Sequence, residues 1–217
     1  FAMSVAAAEL PELSRLSDEP IAVAHRANAA LRRIAFWMLA SSLLLIAAGE
    51  LIVQMLFEGG EFGSDDTSLV WLILVFYAFG LPAIGLSRML QNASFAMGDT
   101  SGPARLAALR VTIAAVIGVL VMFPLDRAFI GADGIEALGD TIGLAGPLDT
   151  DQRTDESLVR LGAVGLAIGS AIGAWVELML LARLLDRRLP ALRRPSSALW
   201  PPVSYTHLRA HETRFYL

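Results

Sequence analysis

The chain of 217 residues contains no cysteine. That excludes a disulfide framework, a thiol nucleophile and any thiolate-ligated metal site. Lysine is also absent: all 17 basic residues are arginine, so a glycine-rich phosphate loop with its following lysine cannot exist. Histidine is scarce. His25 stands alone on a surface helix, His207 and His211 lie in an anomalous tail, and no Ser-His-Asp set can be assembled from them. Charge is thin, at 18% of residues against 55% hydrophobic, with a mean hydropathy of +0.59. An ordinary soluble domain of this size does not carry so much apolar surface, and the solvent for most of the chain is lipid. Period-two alternation is missing from every long apolar run, which disfavours barrel strands.

Four such runs are present: Ile34 to Phe57, Leu69 to Leu90, Leu106 to Leu125 and Leu158 to Leu185. Each exceeds the roughly 18 residues that a bilayer-crossing helix needs. The opening residues AMSVAAAELPELSR read as the end of a fifth helix, closed by Pro11 and the polar run to Pro20. There is no initiator methionine and no charged n-region with a cleavage site, so the chain reads as a fragment. Ile21 to Arg33, with Arg26, Arg32 and Arg33 on its polar side, reads as a short amphipathic helix on a membrane surface. The fold class expected is an all-α polytopic transmembrane bundle over residues 1–202.

Loop charge sets the expected orientation. Residues 11–33 hold Arg15, Arg26, Arg32 and Arg33, whereas 58–68 hold Glu58, Glu61, Asp65 and Asp66 and no arginine. Arg105 and Arg110 follow, then the acidic connection 126–157, then Arg183, Arg187, Arg188, Arg193 and Arg194. Arginine-rich loops face the cytoplasm, so the order is in, out, in, out, in. Within 126–157 a short interfacial helix is expected near Ile135 to Ile142, the rest being an irregular, solvated outer loop. Its carboxylates lack the Asp-x-Asp-x-Asp-Gly spacing of a calcium loop, and no metal site is expected. Residues 203–217 change composition abruptly and read as a non-native read-through tail, histidine pair included.

Ionisable groups inside the spans are the functional candidates, because each is costly in hydrocarbon. Arg88 either snorkels from the cytoplasmic end of the second span or lines a cavity. Glu50, toward the outer end of the first span, either lines a cavity or faces the outer interface, or else faces lipid. Glu177, in the fourth span, either pairs with a nearby cation such as Arg183 or serves a cavity. Gly80 and Pro82 break the second span and suit a hinge, since proline removes a helical hydrogen bond. Gly162, Gly165, Gly169 and Gly173 form a small-residue stripe suited to close helix packing. Kinked spans without a catalytic set suit a transporter better than a membrane enzyme.

The stretches LFEGGEFGSDDT, YAFGLPAIGLSRML and FAMGDTSGPAR, between Leu56 and Arg105, resemble the carboxy-terminal half of the MurJ/MviN lipid II flippases. That family belongs to the multidrug/oligosaccharidyl-lipid/polysaccharide exporter superfamily. The resemblance covers residues 1 to about 190 and makes the four runs the family's ninth to twelfth spans, with Phe57, Gly60, Phe62, Asp66, Asp99, Thr100 and Pro103 in its motif loops. Met97 stands where the family has arginine and Gly102 where it has threonine, Arg88 matches a basic position, and the loop 126–157 is longer than usual. The resemblance implies the second lobe of a two-lobed carrier in the bacterial cytoplasmic membrane that moves lipid II by alternating access. Its partners would be lipid II, membrane lipids and the amino-terminal lobe, which would hold most of the pyrophosphate-binding arginines. No nucleic acid and no cofactor are expected, with coupling to membrane potential or a cation left open. The alternatives are a polysaccharide-lipid flippase or drug/cation antiporter of the same superfamily, or a non-transporting scaffold that binds partner helices through the glycine stripe.

Overall fold

In the computed structural model, residues 2–131, 134–137, 159–187 and 189 are described. The first helix, α1 (Ala2–Arg15), runs through Pro11 rather than ending there. The proline removes one main-chain donor, but Leu13, two residues on, is fully buried, and its burial offsets that loss.

Helix α2 (Pro20–Phe57) is a single 38-residue element, about 57 Å long at 1.5 Å per residue. The stretch Ile21 to Arg33 is therefore not a separate surface helix but its first third. Nothing between Arg33 and Ile34 could break the helix, and Val23, Ala24, Ala27, Leu31 and Ile34 all turn inward. Arg26, Arg32 and Arg33 stay exposed on the other side. Arg26 Nε donates to Glu9 Oε2 at 2.6 Å, tying α2 to α1.

The turn after α2 is built by its glycines. Gly59 and Phe62 exchange both main-chain hydrogen bonds at 3.2 Å, and Gly60 takes φ +64°, a left-handed conformation that only glycine adopts cheaply. The rings of Phe57 and Phe62 lie 6.1 Å apart. Helix α3 (Ser64–Ala96) then starts with the Gly63 N–H donating to the Asp66 carboxylate at 3.0 Å. The acidic side chains of its first turn also favour the positive helix end. Trp71 Nε1 donates to the Ile46 carbonyl of α2 at 3.2 Å, and Asn92 Nδ2 to the Ala6 carbonyl of α1 at 2.7 Å.

Met97, part-buried against the core, closes α3, and Gly98 reverses the chain at φ +77°. The Asp99 carboxylate accepts from the Gly102 N–H at 2.9 Å and so caps α4 (Ser101–Leu125). A Cβ at 102 would stand 2.6 Å from Asp99 Oδ2 and 3.0 Å from Leu184, so the glycine in this motif lets the start of α4 close on its cap. Thr100 is exposed at the N-cap. Pro103 is buried in the first turn of α4, where its missing N–H has no helical partner to lose.

Beyond α4 the chain enters a small antiparallel sheet, β2-β1-β3, of β1 (Ala128–Gly131), β2 (Gly134–Ala137) and β3 (Val159–Arg160). Ile130 pairs with both Ile135 and Val159. Ile135 to Ala137 are thus strand rather than the start of an interfacial helix: β-branched residues favour the extended chain, and Gly131 and Gly134 disfavour a helix. The remainder of that expected helix, most of the loop 126–157 and the whole tail 203–217 lie outside the described residues. The last helix, α5 (Gly162–Asp186), begins four residues later than the apolar run at Leu158, because Val159 and Arg160 are taken into the sheet.

Among the described residues, four helices, α2 to α5, are long and apolar enough to cross a membrane. Helix α5 packs on α3 and α4 and is the most buried of the four, with 56% of its apolar stretch buried against 6% for α4. The apolar core gathers Leu13, Leu31, Ile34, Met89, Leu90, Leu181 and Leu185, where α1 and the start of α2 meet the ends of α3 and α5. Large apolar side chains such as Leu43, Met55, Val111 and Leu120 remain exposed, as expected of faces whose solvent is lipid.

Candidate functional site

Glycine sets the geometry of the site, because it sets how closely α4 and α5 approach. A Cβ at Gly165 would lie 2.5 Å from the main-chain nitrogen of Met122, and one at Gly169 would lie 2.5 Å from the Ala114 carbonyl oxygen and the Gly118 nitrogen. At Gly173 it would come 2.9 Å from the Arg110 carbonyl oxygen, and at Gly162 it would meet Asp126. The stripe thus lies against α4 along its length, and this approach brings Arg110 over Glu177.

Glu177 is 1% exposed. Its Oε2 accepts from Arg110 Nη1 at 3.0 Å, and its Oε1 accepts from Gln91 Nε2 at 2.8 Å. Gln91 Oε1 in turn accepts from Arg88 Nη1 at 3.2 Å. The amide orientation follows from its neighbours: an arginine can only donate and a carboxylate can only accept, so Gln91 bridges the two in one way. Arg88 and Gln91 come from α3, Arg110 from α4 and Glu177 from α5. The four line a cleft of about 460 Å³ together with small residues of α4 and Ser170 of α5.

Gln91 and Glu177 are buried, Arg110 is partly exposed and Arg88 is exposed. Arg88 is eight residues from the end of α3, Arg110 nine from the start of α4, and Glu177 nine from the end of α5. At 1.5 Å per residue that is about 12 to 14 Å from the helix ends. A carboxylate buried so fully needs a partner. The partner is Arg110 of another helix, not Arg183, which is exposed. Sequence reasoning missed both, because Arg110 counts there as a loop arginine and Gln91 lies one residue beyond the second apolar run. The available signal was the lone carboxylate in the fourth run, which demanded a cation from a neighbouring helix.

Glu50 does not join this group. It is exposed on α2, and the cleft is formed by α3, α4 and α5. Gly80 and Pro82 are both buried in an α3 that stays helical through them. A Cβ at Gly80 would meet the Ala171 backbone at 3.3 Å, so this glycine admits α5. Trp175 Nε1 donates to the Phe79 carbonyl at 3.1 Å, next to the Ala78 carbonyl that Pro82 leaves without its helical donor. Among the described residues, no three or more His, Asp or Glu gather to hold a metal ion.

The family model described as "Lipid II flippase MurJ" matches residues 1–138. The chain belongs to the MurJ family. A probable lipid II flippase MurJ of Rhizobium tropici is 32% identical over 117 residues, which cover 53% of this chain and 22% of that protein. The lipid II flippase MurJ of Thermosipho africanus (strain TCF52B) is 28% identical over 144 residues, 66% of this chain and 29% of that protein. A solved lipid II flippase MurJ in an inward closed conformation shares the fold, with TM-score 0.61 at 20% identity, over 86% of this chain and 32% of that one. The chain spans about a quarter of the length of these curated MurJ relatives. Its four long apolar helices and its MurJ membership make it part of a multi-pass membrane protein. MurJ is a family of transporters.

Proposed function

We propose that the full-length protein moves lipid II, the undecaprenyl-pyrophosphate-linked peptidoglycan precursor, from the inner to the outer leaflet of the bacterial cytoplasmic membrane. The observation that supports this reading most is the Arg88–Gln91–Glu177–Arg110 cluster, in which Gln91 and Glu177 are buried and both arginines line the cleft. A pyrophosphate and its sugars cannot enter hydrocarbon unaided, and a carrier must offer them polar, cationic walls while the polyprenyl tail stays in lipid. On this reading α1 to α5 belong to the second of two lobes that rock against each other in alternating access. No cofactor enters, and the driving force is the membrane potential or a coupled cation.

The test is complementation of a flippase-depleted strain by the full-length protein, with lipid II accessibility at the outer leaflet as readout. Restored accessibility and cell shape are expected. Unchanged lipid II flipping on depletion, with another lipid-linked glycan accumulating inside, would assign the protein to a different substrate. The orientation has its own check. A single cysteine at Ser64 should react with a membrane-impermeant reagent in intact cells, whereas one at Ser101 should not, because the arginine-rich ends face the cytoplasm. Labelling at Ser101 would invert the topology.

A further inference from the structure

We propose that the outer half of α2, along Ala47, Glu50 and Gln54, is the docking face for a further membrane helix of the full-length protein, one that presents a hydrogen-bond donor, arginine foremost, to the Glu50 carboxylate. The three residues recur at i, i+3 and i+7, which places them on one side of the helix, and all three are exposed. Among the described residues, the Glu50 carboxylate and the Gln54 side-chain amide meet no hydrogen-bond or ion-pair partner. This carboxylate does not lie at the watery end of its helix. Seven residues follow it in α2, and Leu51, Ile52, Met55, Leu56 and Phe57 among them are exposed, as are Leu43 and Leu44 before it. Apolar side chains left uncovered on both sides of Glu50 set its level in hydrocarbon.

A carboxylate at such a level is costly, and groups of this kind face another protein segment or a water-filled cavity and pair there. The described helices do not cover it. Helix α2 packs on α3 through a different side, where Gly49 admits Trp71 and Leu74, and 17% of its apolar stretch is buried. The chain spans about a quarter of the length of its MurJ relatives, so the rest of a MurJ protein is the nearest source of a covering helix. A second copy is a poor occupant, because α2 helices packed in parallel through this face would bring two Glu50 carboxylates together, like charge against like. A guanidinium suits Glu50 best, since its fork reaches both carboxylate oxygens at once. The small side chain of Ala47 permits close approach, and the Gln54 amide can add a second hydrogen bond between the helices. This packing holds whichever lipid the carrier moves.

Full-length protein in a cysteine-free background, with a trifluoroethyl tag on Ala47→Cys, would be placed in phosphatidylcholine nanodiscs at one copy per disc. Dissolved oxygen, which concentrates in lipid, and a nickel chelate confined to water then report what the tag meets, through broadening of its fluorine resonance. Weak broadening by both is expected: oxygen should act severalfold less than on the same tag in a lipid-facing single-span helix, and the nickel chelate should have no effect. Strong broadening by oxygen would mean that the face meets lipid, and strong broadening by nickel that it lines a water-filled cavity; either result overturns the proposal. Shielding that appears only in discs holding two copies overturns it in favour of a second copy. Thermal unfolding of the untagged protein tests the donor. With a cation against Glu50, Glu50→Leu strands that cation and should lower the unfolding temperature by several degrees, and Glu50→Gln, which keeps an acceptor, should lower it less. On a lipid-facing helix Glu50→Leu would instead raise it, since leucine then replaces a charge in hydrocarbon. A rise, or no change, overturns the donor assignment.

Discussion

Gly169→Leu is expected to detach α5 from α4 and to prevent stable accumulation of the protein in the membrane. Even the first carbon of the new side chain would stand 2.5 Å from the Ala114 carbonyl oxygen and the Gly118 nitrogen. These are main-chain atoms and cannot rotate away, so the two helices would have to separate. Overpacking a tight interior costs about 1 to 3 kcal/mol where side chains can adjust, and here the obstacle is backbone on a helix that touches the bundle chiefly through this face. Close approach is also what holds membrane helices together, since lipid is as apolar as leucine and burial alone gives little drive. Separation would withdraw Arg110 from Glu177 as well. Gly169→Ala should show the same defect in milder form. Gly59→Ala is the control, because a Cβ there meets nothing within 4 Å. Thermal unfolding of full-length variants in detergent reads the difference. A Gly169→Leu protein that unfolds at the wild-type temperature would show that the stripe does not set this packing.

The second large effect is expected from Arg110→Ala. It leaves the Glu177 carboxylate, 1% exposed, with Gln91 as its remaining hydrogen-bond partner. Removing one member of a buried ion pair typically costs about 3 to 5 kcal/mol, because the other is left desolvated and uncompensated. Adding Glu177→Gln to Arg110→Ala should recover a large part of that loss, since an amide is far cheaper to bury than an unpaired carboxylate. The pair formed by Arg26 and Glu9 is a useful contrast. It is shorter, at 2.6 Å, but its arginine is 41% exposed, and exposed pairs are worth about 1 kcal/mol or less. Arg26→Ala should therefore change stability little. Equal losses for Arg110→Ala and Arg26→Ala in the same unfolding assay would contradict the assignment of the Glu177 pair as buried and structural.

The sequence by itself determined the lipid environment, the four apolar helices and the two turns that join α2 to α3 and α3 to α4. These are local properties. Hydrophobic run length decides whether a helix can cross a membrane, and Gly60 and Gly98 mark left-handed turn positions because no other residue adopts them so cheaply. The glycine spacing of α5 likewise announced a face able to approach another helix. Tertiary structure alone decided which helix that face meets, namely α4, and which cation neutralises Glu177. Arg110 lies 67 residues away from it in the chain, while Arg183, six residues away and one helix face removed, points outward. Helical periodicity sorts residues onto faces of their own helix, but it carries no information about the face opposite. The same limit explains Glu50, which carries a charge in an apolar run as Glu177 does, yet is exposed on α2. It explains Ile21 to Arg33 as well. An amphipathic stretch looks alike whether its apolar side meets a membrane surface or a protein core, and only the core it shares with Leu13 of α1 and Met89 of α3 made it the buried first third of α2.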